Sequence, residues 1–393
     1  MGFAKRHMEE IESRGWADTD STVCSDCVLD EALVTAVVEY GATDDCSFCG
    51  AMTPVASAPL EVVLQLVVDG VRFEYEDPIE QAAYDSEDGY LVPIRDTCEL
   101  LEELEVTERP EVLAAIAESM RQGLWCQRNP YAATPTEALV WGWQASRAFV
   151  KESRRYTFLV PDPAPADGAG AVAMHSVPGA IAAAVTSSGS VTTLAPGSKW
   201  WRARVEAEGG KFCSATEIGT PPAAHARDNR MSPKGIGAFY GASTLAGAVA
   251  EVGYADPTAM LSVGRFELVD PIRVVDLREA TQVPSLFDSK MRELRAPITF
   301  LQSFIEDISS PSPPSDRQNP DYIPTQVITE YLRYELPSRL GPIEGVVWRS
   351  SKDRTIDVCA LFVANDEFAD VGSATASTRM VLDPSTVIHR TVA

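Results

Sequence analysis

Long apolar runs are missing from this 393-residue chain. No stretch approaches the ~20 residues needed to span a bilayer, which argues against a helical membrane protein. The opening MGFAKRHMEEIESRGW is charged and lacks the apolar core of a signal peptide, so the expected location is the cytoplasm. Basic runs are absent too. With 33 Lys and Arg against 57 Asp and Glu, the formal net charge is -24; the chain as a whole repels nucleic acid and offers phosphate backbone no track. The four histidines, His7, His175, His225 and His389, are too dispersed to suggest a ligand cluster, and none is assigned a role. Neither GxGxxG nor a P-loop occurs, so a Rossmann or P-loop nucleotide site is not indicated.

Cysteine, by contrast, is patterned. Four of the eight stand at Cys24, Cys27, Cys46 and Cys49, two C-x2-C pairs separated by eighteen residues. Two thiolate pairs on tight knuckles can close a tetrahedron around one zinc ion, and the gap accommodates a helix over Asp30 to Tyr40. Four sulfur ligands leave no open position for water, so the expected ion is structural. Two disulfides would require an oxidising compartment that nothing else supports. The flanks carry Glu9, Glu10, Asp18, Asp20, Asp26, Asp30, Asp44 and Asp45, which argues against nucleic-acid binding by the knuckle. Cys98, Cys126, Cys213 and Cys359 are scattered singly and read as small buried apolar residues, with no histidine nearby in sequence to form a nucleophilic pair.

From Leu60 to Phe158 the periodicity is helical: Val62 to Val68, Cys98 to Leu104, Glu111 to Trp125 and Glu137 to Lys151. Thr134, Pro135 and Glu137 form a start signal for the last, in which Trp141 and Trp143 lie on different faces. Pro161 to Pro196 is rich in Pro, Gly, Ala and Ser and reads as a linker containing one short helical piece at Ala180 to Val185. The expected domains are therefore a knuckle over 1–58, a helical domain over 59–160, a linker over 161–196 and a C-terminal domain over 197–393.

In that last domain strands are expected at Trp201 to Val205, Ala238 to Tyr240, Leu261 to Leu268, Ile272 to Asp276, Gly345 to Arg349 and Val358 to Val363, with an edge strand at Met380 to Leu382. Helices are expected at Thr244 to Glu251, Ser289 to Ile305 and Gln326 to Leu336, and a surface loop at Ser309 to Tyr322. Short strands at irregular spacing imply an α+β fold.

The stretch from Arg227 to Glu251, RDNRMSPKGIGAFYGASTLAGAVAE, gathers an arginine, a turn, an aromatic and a carboxylate. Ser243 or Thr244 can cap a helix that carries Glu251. Arg202, Arg204, Arg227, Arg230 and Lys234 could form a local basic pocket for an anionic ligand in this acidic chain. On these residues alone, an ordinary ion pair between Arg230 and Glu251 with Tyr240 in the core is an equal alternative. WRAR at Trp201 to Arg204, NRMSPKGIGAFYGAS at Asn229 to Ser243, AVAEV at Ala248 to Val252, YIPTQVITEYLR at Tyr322 to Arg333 and GVVWRSS at Gly345 to Ser351 fall in an order and spacing that resemble the RES domain family. Two positions depart from its pattern: Asn229 stands where glycine is usual and Ser232 where asparagine is usual.

The resemblance implies an ADP-ribosyltransferase-like RES domain over roughly the last 200 residues, behind the cysteine knuckle and helical segment that a subset of the family carries. It implies NAD as substrate, with inorganic phosphate a conceivable co-substrate, and a toxin or anti-phage effector restrained by an antitoxin or other regulatory protein. An N-terminal half that gates the pocket is a further expectation. By position Glu251 matches the family glutamate, Arg202 and Arg230 its arginines, Tyr240 its tyrosine and Ser350 its serine, with Ser351 as fallback. Cleaving the nicotinamide–ribose bond needs a carboxylate for an oxocarbenium-like ribose, cations for the diphosphate and an aromatic for the departing ring. Mono-ADP-ribosyl transfer to a macromolecule would use the same groups, and a non-catalytic zinc-containing NAD-binding or adaptor protein is the third reading. The acceptor, whether water, phosphate or macromolecule, stays open.

Overall fold

The computed structural model describes residues 3–42, 45–50, 55–157, 172–206, 210–253, 259–279, 281–310, 320–336 and 341–391. Helices and strands are mixed, as the α+β expectation requires. Contacts divide the chain into two units, Met1–Thr134 with Val283–Arg295, and Pro135–Gln282 with Ala296–Ala393.

The first unit holds helices α1 (Phe3–Arg14), α2 (Glu31–Tyr40), α3 (Leu60–Glu74), α4 (Pro78–Gln81), α5 (Thr97–Glu103) and α6 (Pro110–Ser119). Its short strands are β1 (Thr22–Cys24), β2 (Ser57–Pro59), β3 (Tyr75–Glu76), β4 (Tyr84–Asp85), β5 (Gly89–Tyr90), β6 (Arg95–Asp96) and β7 (Leu124–Gln127). Asp30 caps α2 by accepting from the Ala32 and Leu33 N–H groups, and Gly41 closes it at φ 71°. The knuckle and the helical segment, expected as separate domains, share one core in which Cys24, Cys27 and Cys46 pack with Leu64, Leu100 and Ile116. The helix expected over Glu111 to Trp125 ends at Ser119, where Met120 turns extended, and Leu124–Gln127 instead forms a strand between β3 and β6.

Val283–Arg295 belongs to this unit because Leu286 and Phe287 supply it with apolar surface. Phe287 is buried in the core around α3, and a Cβ on Gly70 would come within 2.6 Å of its ring. Ser285 Oγ donates to Asp30 Oδ1 at 2.8 Å and Arg295 Nε to Glu74 Oε1 at 3.0 Å. The helix expected from Ser289 therefore begins at Arg295, after a 3-10 turn over Arg292–Leu294.

The second unit contains α7 (Pro135–Glu152), α8 (Val177–Ser187), α9 (Ala215–Ile218), α10 (Leu245–Gly253), α11 (Arg295–Ser309, its first residue counted in the first unit) and α12 (Ile323–Tyr334). Its strands are β8 (Val191–Leu194), β9 (Lys199–Val205), β10 (Phe239–Ala242), β11 (Met260–Leu268), β12 (Ile272–Leu277), β13 (Gly345–Arg349), β14 (Asp357–Leu361), β15 (Phe368–Asp370), β16 (Met380–Leu382) and β17 (Ile388–Thr391). They form one sheet in the order β15-β16-β11-β9-β10-β14-β13-β12-β8, with β17 also on β11. Met380–Leu382 therefore lies between β15 and β11 rather than at the edge. Strand alternation sends Trp200, Phe239 and Phe266 to one apolar cluster and Ala203, Ala242 and Val263 to another, which also contains residues of α7, α8, α10, α11 and α12.

Two expectations change here. Residues 158–171 of the stretch around the expected linker lie outside the described residues, but the rest of the linker is structured. Helix α8 buries Val177, Ile181, Ala182, Ala184 and Val185, and β8 pairs antiparallel with β12. Small residues that looked like linker composition permit close packing: the Tyr331 hydroxyl lies 3.5 Å from where a Gly179 Cβ would stand. Helix α7, assigned by sequence to the N-terminal half, packs in this unit. Trp143 meets Phe304 edge-on at 5.3 Å and its Nε1 donates to Asp307 Oδ2 at 2.7 Å, while Trp141 is exposed. Of the expected loop at Ser309 to Tyr322, residues 311–319 lie outside the described residues. Among the described residues no helix is long and apolar enough to cross a membrane.

Removing a fully buried Phe side chain costs about 3–5 kcal/mol. Phe287→Ala should accordingly lower the hydrogen-exchange protection of α3 amides while leaving β9 and β11 amides unchanged. Equal α3 protection in variant and parent would show that residues 283–295 do not complete this core.

Candidate active site and metal centre

The loop before β10 is closed on itself. Asn229 and Ser232, the two positions that depart from the family pattern, bridge by backbone in both directions, at 2.9 and 3.3 Å, placing Arg230 and Met231 at the tip of a four-residue turn. Helix α12 holds that turn from outside. Gln326 Nε2 donates to the Asn229 carbonyl at 2.7 Å and Asp228 Oδ1 at 2.8 Å, and Thr325 Oγ1 to the Arg230 carbonyl at 2.7 Å. Inside, the Tyr240 hydroxyl accepts the Met231 N–H at 3.2 Å and lies 2.9 Å from Ser232 Oγ. Burial pushes the Tyr240 phenol well above its ordinary range, against the hydrogen bonds from Ser232 and Met231, so it is neutral at physiological pH.

Arg230 reaches from this turn to the end of α11. Its Nη1 donates to the Ile308 carbonyl and, at 3.4 Å, to that of Asp307; Nη2 donates to the Ser310 carbonyl at 2.8 Å. A guanidinium on the last carbonyls satisfies groups that the helix leaves open and complements its dipole. Burial lowers the Arg230 pKa, opposed by Tyr322, Glu251, Asp321 and Tyr240, so the arginine senses both Glu251 and Tyr240.

Glu251 arrives on α10. Thr244 rather than Ser243 caps the helix, its Oγ1 accepting the Gly247 N–H at 3.0 Å. Ser243 is used one step earlier: its N–H donates to the Asp357 carbonyl at 2.8 Å and its Oγ accepts the Asp357 N–H at 3.1 Å, fixing the helix entry to β14. At the far end of β13 the buried Ser350 donates its hydroxyl to Glu251 Oε1 at 2.5 Å. The Lys352 ammonium lies 3.9 Å from Glu251 Oε2 and donates to the Ala250 carbonyl at 2.7 Å. Burial lowers the Lys352 pKa and Glu251 opposes it. Ser350, not Ser351, therefore meets the carboxylate. Lys352 escaped the sequence reading, although it stands two residues after Ser350 in RSSK.

Arg202 is placed differently. On β9 it follows the alternation of Trp200, stacking on Phe239 at 5.2 Å, and is buried. Nε donates to the Ile218 carbonyl at 2.7 Å and Nη1 to the Tyr240 carbonyl at 3.1 Å. Burial, with Arg204 as a second cause, brings its pKa down to about 10, which leaves it cationic at neutral pH. Arg204 is held by the Glu217 carbonyl and senses the exposed Arg227, so three of the expected basic-pocket residues are neighbours in series, whereas Lys234 is exposed on the loop. The cleft beside the loop, lined in part by Ser232, Gln326, Arg333 and Phe362, does not include Glu251 or Ser350.

In the first unit the four knuckle cysteines converge as their spacing predicts. Their sulfurs all lie within 4.8 Å of one another, with Cys24–Cys49 at 3.6 Å and Cys27–Cys46 at 3.7 Å. A disulfide would need ~2.05 Å; a tetrahedron with ~2.3 Å metal–sulfur bonds has edges of ~3.8 Å. The donor set therefore fits one metal ion. Within the cluster the thiols shift in opposite directions: backbone hydrogen bonds involving Cys49, Phe48 and Cys24 bring Cys46 to about 7 against its burial, whereas burial raises Cys24 and Cys27. Of the single cysteines, Cys126 and Cys359 are buried as expected, whereas Cys98 and Cys213 are exposed. The fold also brings His389 to Cys213, a pairing across 176 residues with no local sequence signal.

Residues 199–383 match the family model for the RES domain, and residues 39–164 match that for HEPN/RES N-terminal domain 1. No curated protein and no solved structure matches the chain. The family match spans all five candidate site residues.

Elemental analysis of the purified protein should find one thiolate-bound ion per chain, and Cys27→Ser should lose it together with the hydrogen-exchange protection of α2. Metal-free protein with intact α2 protection would remove the ion from the fold.

Proposed function

We propose, from the premise that this chain carries a RES domain behind a HEPN/RES N-terminal domain, that it consumes NAD by cleaving the bond between nicotinamide and ribose. The observation that carries this reading is the Glu251 carboxylate, fixed by Ser350 at 2.5 Å in the same electrostatic neighbourhood as Arg230. When nicotinamide leaves with the bonding electron pair, positive charge develops on the ribose. A preoriented carboxylate stabilises that charge with no reorganisation at the moment of reaction.

Ser350 orients Glu251 and is a positioning residue, its one hydroxyl hydrogen given to that carboxylate. Arg230 and Lys352 are the cations on the carboxylate's side and suit a diphosphate. The neutral Tyr240 offers a ring for nicotinamide or a hydroxyl for ribose. Arg202, with its guanidinium on the Ile218 and Tyr240 carbonyls, is assigned to positioning β10 rather than to gripping the ligand. In the other unit the four cysteines hold a structural zinc, which would supply rigidity and no open coordination position. NAD depletion of its own cell, under restraint by an antitoxin or other regulatory protein, is the biological role that accompanies this chemistry, and anti-phage defence is one setting for it.

Incubating purified protein with NAD, with and without inorganic phosphate, and identifying products by mass tests the reaction. ADP-ribose 1''-phosphate formed only with phosphate means phosphorolysis; ADP-ribose in both means hydrolysis; a modified macromolecule means transfer. Glu251→Gln should reduce NAD loss about a hundredfold, the ~3 kcal/mol typical of one charge-stabilising contact, with the melting temperature within a degree or two of the parent. Ser350→Ala should follow in the same direction with a smaller loss. Near-parental turnover in folded Glu251→Gln would defeat the assignment.

A further inference from the structure

Outside the candidate site, β9, β11 and β17 bring together a glutamate, a serine, a histidine and an exposed cysteine. Ser262 and His389 are register partners on β11 and β17, and Glu206 directly follows β9. Ser262 is fully buried; its Oγ accepts the Phe212 N–H at 3.1 Å and donates to Glu206 Oε1 at 2.7 Å. His389 Nδ1 lies 2.7 Å from the same Glu206 oxygen and 3.1 Å from Ser262 Oγ. The single Ser262 proton is committed to Glu206, so both neighbours of Nδ1 are acceptors and Nδ1 carries the imidazole hydrogen. The lone pair of a neutral His389 ring is then on Nε2, which lies 3.9 Å from Cys213 Sγ.

We propose that Cys213 is a modification site, an exposed thiol activated by His389 and positioned through Glu206 and Ser262, that exchanges with low-molecular-weight disulfides. His389 Nε2 takes the thiol proton and the Cys213 thiolate attacks one sulfur of the disulfide. The disulfide bond breaks, and the departing thiolate recovers the proton from His389. A mixed disulfide on Cys213 and one free small thiol result, and the incoming disulfide is the only oxidant.

The charged groups facing the thiol are Glu206, His389, Lys211 near Glu206, and Glu217, whose carboxylate accepts the Cys213 and Ser214 N–H groups at 3.0 Å each. Arg204 lies over the adjacent Phe212 ring at 4.7 Å. The other exposed single cysteine is an internal control. Cys98 has no imidazole partner among the described residues, and burial together with Asp96, Glu102 and Glu118 raises its thiol.

The full-length protein is treated with oxidised glutathione at neutral pH and adduct formation is followed by peptide mass at Cys213 and Cys98. Cys213 should react about tenfold faster, because His389 can take its proton as attack begins whereas burial and neighbouring carboxylates hold the Cys98 thiol up. His389→Asn should bring Cys213 to the Cys98 rate without altering Cys98. Glu206→Gln keeps an acceptor for Nδ1–H but removes the carboxylate that faces the ring as it takes the thiol proton, so the Cys213 rate should fall toward the Cys98 rate with Cys98 unchanged. Equal rates at the two cysteines of the parent protein, which needs no variant to fold, overturn the proposal. An unchanged Cys213 rate in folded His389→Asn, or in folded Glu206→Gln, does the same.

Discussion

The hydroxyl of Ser350 donating to Glu251 joins positions 99 residues apart, and much of the second unit is arranged to make that contact possible. Helix α10 has to start at the end of β10, which Thr244 secures by capping, and its entry has to sit against β14, which the reciprocal Ser243–Asp357 backbone and side-chain bonds secure. The turn carrying Ser350 returns to the same strand through the Ser350 N–H to Ile356 carbonyl bond at 2.9 Å. Asp357 then anchors both ends, its carboxylate accepting from Arg278 at 3.0 Å and Arg349 at 2.5 Å while Arg278 also clasps Asp276. Mutually hydrogen-bonded charges of this kind are geometrically demanding, and they tie β12, β13 and β14 together at the end where Ser350 sits.

Both arginines that match the family pattern spend guanidinium hydrogens on backbone carbonyls. For Arg230 this is helix termination: Asp307 has its side chain held by Trp143 and Arg147 of α7, and its carbonyl faces Arg230. The loop tip is thereby attached to α7 through α11. For Arg202 it is strand spacing, because β9 and β10 share one register pair, Ala242 with Trp201, and the guanidinium links the Tyr240 carbonyl to that of Ile218 beyond it. An arginine at such a place does two things at once. It donates to backbone carbonyls, and it leaves positive charge beside the aromatic and carboxylate of the candidate site.

The elements that could be read from sequence are those whose signal is local. The C-x2-C pairs, the strands around WRAR and GVVWRSS, and the helix bearing Glu251 each announce themselves within a dozen residues. What could not be read depends on partners far along the chain. Leu286 and Phe287 look like the approach to a helix until their packing partners on α3 are known. Alanine-rich α8 resembles linker because its burial comes from small residues fitting closely, which composition scores as weak. Arg202 and Arg230 stand out in the sequence as candidate arginines, but their attachment to carbonyls does not, since a carbonyl carries no residue identity. Lys352 was within reach of a local reading; Cys213 and His389 were not.

The charge distribution reconciles an acidic protein with the anionic substrate proposed for it. At a net -24, the surface as a whole disfavours a dinucleotide, but a field screened over ~8 Å at physiological ionic strength leaves local charge in control once the ligand is close. Arg204 depresses Arg202 and Arg227 depresses Arg204, a sign that like charges are held together against their own repulsion. The fold offsets that repulsion with the carbonyls of Ile218, Glu217 and Tyr240, neutral acceptors that stabilise a guanidinium without cancelling its charge. Carboxylates in the same places would have been stronger partners and would have neutralised the patch. Backbone carbonyls keep the cations in place and keep the patch positive.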